Sequence, residues 1–113
     1  MESEKKTLLK PKDNKLQISS KKDAKFFTFL AKIFLKEYQE VELHALGEAI
    51  STSVRVAETL DRFGYANITK INQFSQEMHS EENPNSRGRK VLKMVVTLSR
   101  SADFNQKTEN LKH

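Results

Sequence analysis

Two basic groups stand out as side chains able to do chemistry. Ser19-Ser20-Lys21-Lys22 falls between a segment of alternating hydrophobicity and a helical one. There, the free N–H groups and partial positive charge of the helix N-terminus add to two ammonium groups and make an anion seat. Arg87-Gly88-Arg89-Lys90 closes a turn-rich stretch, and guanidinium groups on a glycine-containing ribbon can lie in a groove and hold phosphates bidentately. Taken singly, the first reads as solvated loop lysines and the second as a solubilising hairpin tip. Their presence together in one small basic chain favours a polyanion ligand.

Catalytic chemistry finds little support. The chain has no Cys, His44, His79 and His113 lack ligand spacing, and no carboxylate pair stands beside a plausible base. Ser51-Thr52-Ser53 lacks a nucleophile-elbow context, and Gly47 and Gly88 form no phosphate-binding glycine loop. No catalytic residue, metal ligand, cofactor or small-molecule substrate is therefore expected. One enzymatic route survives from the residues: a lysine amine held against DNA could attack the aldehyde of an abasic site through a Schiff base. Borohydride trapping on abasic DNA tests it.

Composition narrows the class. With 113 residues, 36% hydrophobic and 31% charged, the chain suffices for one domain. Its apolar runs, such as Ile33-Phe34-Leu35, fall far short of the roughly 20 residues that span a bilayer. The acidic opening Met1-Glu2-Ser3-Glu4 is unlike a secretory signal, so the expectation is a soluble intracellular protein with no membrane partner. The net charge of +5 is unevenly placed: both ends of the chain are basic and residues 23–80 slightly acidic, an arrangement that points to a polyanion.

The elements that must position these groups follow from periodicity. Residues 1–13 read as a flexible basic leader, 14–101 as one domain and 102–113 as a polar tail. Leu16 to Ser19 alternates as a short strand, and Asp23 is a good cap for a helix running to about Gln39. On that helix Lys25, Thr28, Lys32, Lys36 and Gln39 form a solvent stripe. Phe26, Phe27, Phe29, Leu30, Ile33, Phe34 and Tyr38 make a wide apolar face.

Val41 to Leu46 alternates again as a second strand. In the next helix Ile50, Val54, Ala57 and Leu60 line one side, with Gly64 suited to a left-handed cap. Residues 67–78 and 90–100 read as two long strands. Ile68 and Ile71 fall on opposite parities in the first, so either a bulge separates them or both faces are partly buried. The connection between these strands exceeds a tight turn and should project as an arm. The order β-α-β-α-β-β predicts a two-layer α/β sandwich, a mixed four-stranded sheet covered on one face by two helices. The other face, with Glu42, His44 and Lys93, stays open or pairs with another subunit.

Ala45-Leu46-Gly47-Glu48-Ala49-Ile50-Ser51 resembles the central Ala-x-Gly-x-Ala-Ile-Ser signature of the Alba superfamily of DNA- and RNA-binding proteins. Lys21-Lys22 falls where that family carries a paired lysine, Arg62-Phe63 matches its Arg-Phe, and Arg87-Gly88-Arg89 resembles the Arg-Gly-Arg of eukaryotic members. The resemblance covers roughly residues 14 to 100. It implies a homodimer, or a heterodimer with another Alba-type protein, in which the lysines meet the body of a duplex and two arms embrace its minor groove. By likeness, Phe63 mediates dimer–dimer contacts; read on its own, it fills the core. The family's roles are chromatin packaging, RNA binding with translational control, and pairing as assembly subunits of RNA-processing ribonucleoproteins. Three positions depart from the pattern: Leu46 and Glu48 replace the arginines that flank the glycine in archaeal members, and Ala24 stands where many members have Pro. Glu48 would repel phosphate, which shifts binding onto Lys21, Lys22 and the arm.

The resulting expectation is a sequence-tolerant binder of double-stranded DNA and RNA, with Lys21, Lys22, Arg87, Arg89 and Lys90 as the contact residues. Five cations per subunit give at most about ten phosphate contacts per dimer, so the logarithm of duplex affinity should fall against the logarithm of salt with a slope no steeper than about −9. Titrations across a salt series measure it.

Overall fold

The computed structural model describes residues 12–78 and 89–105. The expected leader, residues 1–13, therefore lies almost wholly outside the described residues. The elements run β1 (Lys15–Ile18), α1 (Ala24–Glu37), β2 (Glu40–Leu46), α2 (Ala49–Arg62), β3 (Ala66–Met78) and β4 (Arg89–Arg100). They form a four-stranded sheet in the order β1-β2-β4-β3. β1 is parallel to β2, while β4 is antiparallel to both β2 and β3, giving the mixed sheet expected from the element order.

One sheet face is covered. Leu16 and Ile18 from β1, Val41, Leu43 and Ala45 from β2, and Met94, Val96 and Leu98 from β4 are all buried, and the strand registers put them on a single side. Both helices pack there. The buried stripe of α1 is Phe27, Thr28, Ala31, Phe34 and Leu35, narrower than the apolar face expected from sequence. Phe26 is 42% exposed and Phe29 58%, so both leave the core. Thr28 belongs to the buried side instead of the solvent stripe, its hydroxyl donating to the Ala24 carbonyl at 2.7 Å.

The buried stripe of α2 is likewise rotated. It runs Ala49, Ser53, Val56, Ala57 and Leu60, while Val54 is exposed. Small residues at 49, 53 and 57 let the helix sit close to its neighbours, and sequence hydrophobicity alone does not report that preference.

The helix ends follow their caps. Asp23 Oδ1 accepts the Phe26 N–H at 3.0 Å and starts α1. α2 stops at Gly64, whose φ is +78°. Tyr65 N–H donates to the Leu60 carbonyl at 2.9 Å and Gly64 N–H to that of Asp61 at 3.1 Å, the pair of bonds that closes a helix through a left-handed glycine. In β3 the register with β4 slips between Ile68 and Lys70, which settles the parity conflict in favour of a bulge. It returns Ile68 and Ile71 to the same face.

Beyond residue 101, where the sequence shows only a polar tail, Phe104 returns to the core and is fully buried. Ser101 fastens the segment by donating its hydroxyl to the Gly64 carbonyl at 2.7 Å and its N–H to the Tyr65 carbonyl at 3.0 Å. Phe104 meets Tyr65 edge-on, with ring centroids 6.4 Å apart. Phe104→Ala should destabilise the domain by about 3 kcal/mol, the usual cost of emptying a buried phenylalanine site. Urea unfolding of the full chain, read as a lower midpoint at unchanged slope, checks this.

Candidate functional site

The strand directions decide which turns share an end of the molecule. β1 and β2 are parallel and both end where Leu46 pairs with Lys93. From that row β3 and β4 continue as a two-stranded ribbon through Phe74↔Lys93 to Met78↔Arg89. At about 3.3 Å per residue, Arg89 lies some 13 Å beyond the end of β2. The β1–α1 turn with Lys21 and Lys22, the β2–α2 turn with Gly47 and Glu48, and the ribbon thus leave the sheet at one end.

Lys21 and Lys22 are both exposed. Ser19 Oγ accepts the Lys21 N–H at 3.4 Å, and the Lys22 ammonium lies 5.5 Å from the centre of the Phe26 ring. The helix end contributes less than the sequence suggested, because the Asp23 carboxylate already takes one of its free N–H groups. Anion attraction here therefore comes from the two ammonium groups, with a negative charge next in the chain. Lys90 is exposed on the ribbon. Arg89 is the first residue of β4, and Arg87 lies outside the described residues.

The β2–α2 turn is tied to the base of the ribbon. Gly47 adopts φ +52° and its N–H donates to the Leu92 carbonyl at 2.8 Å. A side chain at 47 would be strained by that φ. Exposed Glu48 stands on the same turn.

Phe63 sits at the opposite end, where α2 stops, and is 60% exposed. It does not join the basic groups, nor does it fill the core. On the helix-free face His44 is half-buried, and its ring Nε2 donates to Glu42 Oε1 at 2.9 Å, so two of the three groups expected on the open face satisfy each other.

Two grooves flank α2. Beside β3 and β4, a groove of about 390 Å³ is floored by Val54, Ile68, Ile71 and Met94 and edged by Asp61 and Arg62. Between α1 and α2 lies a second, of about 400 Å³, lined among others by Lys25, Phe29, Lys32 and Arg55. The sequence reading missed this second groove because it assigned Phe29 to the core. The signal was the Lys25, Phe29, Lys32 spacing, which keeps all three on one helix face. Among the described residues no group of three His, Asp or Glu side chains could hold a metal ion, and no helix is long and apolar enough to cross a membrane.

Fold and site together define a small two-layer α/β domain with a basic end and a projecting ribbon. The Alba family model matches residues 14–77, more than half of the chain. An uncharacterised protein of Arabidopsis thaliana is 38% identical over 98 residues, covering 84% of this chain and 72% of its own. The chain belongs to the Alba family. Among solved structures it is similar to ALBA1 of Trypanosoma brucei, with a TM-score of 0.73, 22% identity, and coverage of 91% of this chain and 82% of that one. It is also similar to Alba of Thermoplasma volcanium, with a TM-score of 0.63, 23% identity, and coverage of 77% and 100%. At such identities the two structures speak for the fold.

The cap geometry makes a separable prediction. Asp23→Ala should cost about 1 kcal/mol, whereas Asp23→Asn should stay within about 0.5 kcal/mol of the parent, because asparagine caps as well as aspartate. Thermal unfolding of both variants checks it.

Proposed function

We propose that this chain binds double-stranded DNA and RNA with little sequence preference, as a homodimer or as a heterodimer with another Alba-type chain. Lys21 and Lys22 meet the backbone at the body of the domain. Lys90 near the start of β4, together with Arg89 and with Arg87 two positions earlier in the sequence, contacts a groove of the duplex. The observation that carries this reading is that the Lys21–Lys22 turn and the ribbon leave the sheet at the same end, so one polyphosphate track can run past both. Both helices pack on the sheet, which leaves no free recognition helix for the major groove among the described residues. Groove shape and backbone charge then set affinity. DNA packaging and RNA binding with translational control, in nucleus and cytoplasm, are the roles this reading embraces, and it is non-enzymatic.

Pairing is supported by the apolar groove beside α2. Val54 and Ile71 are exposed there, and a second subunit would cover them. Phe63, exposed at the far end, is the proposed contact between dimers. The same apolar surface favours a second reading, a subunit whose main task is heterodimeric assembly in an RNA-processing ribonucleoprotein. Light scattering after size exclusion, with and without nucleic acid, separates the two: an autonomous binder pairs with itself and stays monodisperse, and an obligate partner-seeker does not.

Replacing both Arg87 and Arg89 by Ala should weaken duplex binding. It removes up to four phosphate contacts per dimer, so the salt slope should flatten by at most about 3.6. Lys21→Ala with Lys22→Ala should act in the same direction. Titrations that do not move in either double variant would remove the basic end from the interface.

A further inference from the structure

The groove between α1 and α2 pairs one exposed aromatic ring, Phe29, with cations. Along α1, Lys25, Phe29 and Lys32 fall on one outer face, and Arg55 of α2 stands across from them. No described carboxylate lines this groove, and none forms an ion pair with Lys25, Lys32 or Arg55. The groove on the other side of α2 differs, since it carries Glu58 and Asp61.

The hydroxyls in the groove are already committed. Thr28 donates to the Ala24 carbonyl and Thr59 to that of Arg55, at 2.7 and 2.8 Å. What the groove offers a ligand is therefore positive charge and a bare ring. Phe29 is 58% exposed, a cost in apolar hydration with no return inside the isolated domain.

The surroundings extend this pattern in both directions. Toward the basic end, the Lys22 ammonium lies 5.5 Å from the Phe26 ring centre; toward the other, the Lys32 ammonium lies 4.2 Å from that of Tyr65. From Lys22 to Lys32 the stripe spans about 15 Å at the helical rise, so it continues directly from the Lys21–Lys22 turn. A row of cations around the open Phe29 ring suits a strand whose bases are unpaired, because stacking needs a free base face. Bases stacked within a duplex have none to give.

We propose that this groove is a second binding site, for single-stranded nucleic acid, in which an unpaired base stacks on Phe29 while Lys25, Lys32 and Arg55 hold the flanking phosphates. It rests on the nucleic-acid reading above and adds to it a place where single strands are told from duplexes.

The chain has no tryptophan, so Phe29→Trp in the full chain installs a lone fluorophore at the site. An oligouridylate of about twelve nucleotides, long enough for one such site, should quench it. The deoxythymidylate strand of equal length serves as the DNA arm, and an RNA duplex of that length should leave the fluorescence unchanged. Phe29→Ala should lose roughly tenfold in affinity for the single strands and less than twofold for the duplex. Lys25→Ala with Arg55→Ala should follow the same preference. Because Phe29 is exposed, its variants should keep the parent's melting temperature, which is measured alongside.

Equal losses on single strand and duplex, or single-strand binding indifferent to Phe29→Ala, would overturn the groove proposal. Duplex binding that still responds to Lys21 and Lys22 would then leave the broader reading standing. If the parent chain binds no nucleic acid at low salt, both fall.

Discussion

A mismatch of lengths governs this molecule. Each helix has 14 residues and covers about 21 Å, close to the span of the seven-residue β2. β3 has 13 residues and β4 has 12, about 40 Å of extended chain. The helices can shelter only the part of the sheet they cross, so the rest of β3 and β4 must stand free as a ribbon. Phe74 and Ser75, where the ribbon leaves the sheet, are exposed, and so are residues 71–73 just before them on the edge strand β3.

From that mismatch the distribution of charge takes its meaning. β1, β2 and β3 all point toward the end where the ribbon emerges, because β4 is inserted antiparallel between β2 and β3. The β1–α1 and β2–α2 turns therefore gather at its root, and the Gly47 N–H bond to the Leu92 carbonyl holds one of them there. The opposite end carries the α2 cap, exposed Phe63 and the closing segment that buries Phe104. Lys21 and Lys22 face solvent at the first end with Asp23 next in the chain, and Glu48 stands on the other turn of that end, so the end carries both signs of charge.

Much of this was legible in the sequence. Alternation over Val41 to Leu46, the aspartate cap, the glycine after α2 and the parity conflict between Ile68 and Ile71 each have one dominant local cause, and each found its counterpart in the structure. What escaped depended on tertiary packing. Phe26 and Phe29 look like core residues because hydrophobicity is read without knowing the helix rotation. That rotation is fixed by small residues, Ala31 on α1 and Ala49, Ser53 and Ala57 on α2, which let the helices lie close. Phe104 escaped because one aromatic in a polar stretch carries no period. Its burial depends on a hydroxyl reaching back across 37 positions to Gly64. The basic turn could be located from its residues, but the cost of Asp23 beside it became visible only with the cap bond.

The strand that stands third in the sheet is the last of the described strands in the chain. Until β4 has left the ribosome, β3 has no neighbour with which to hydrogen-bond, and the β1–β2 pair lacks its other flank. A nascent chain reaching only to Met78 would thus carry an unsatisfied edge along its whole third strand, with Ile71 and Phe74 bare. Assembly of the sheet is consequently a late, non-local event, and the nascent intermediate is the species most in need of chaperone cover.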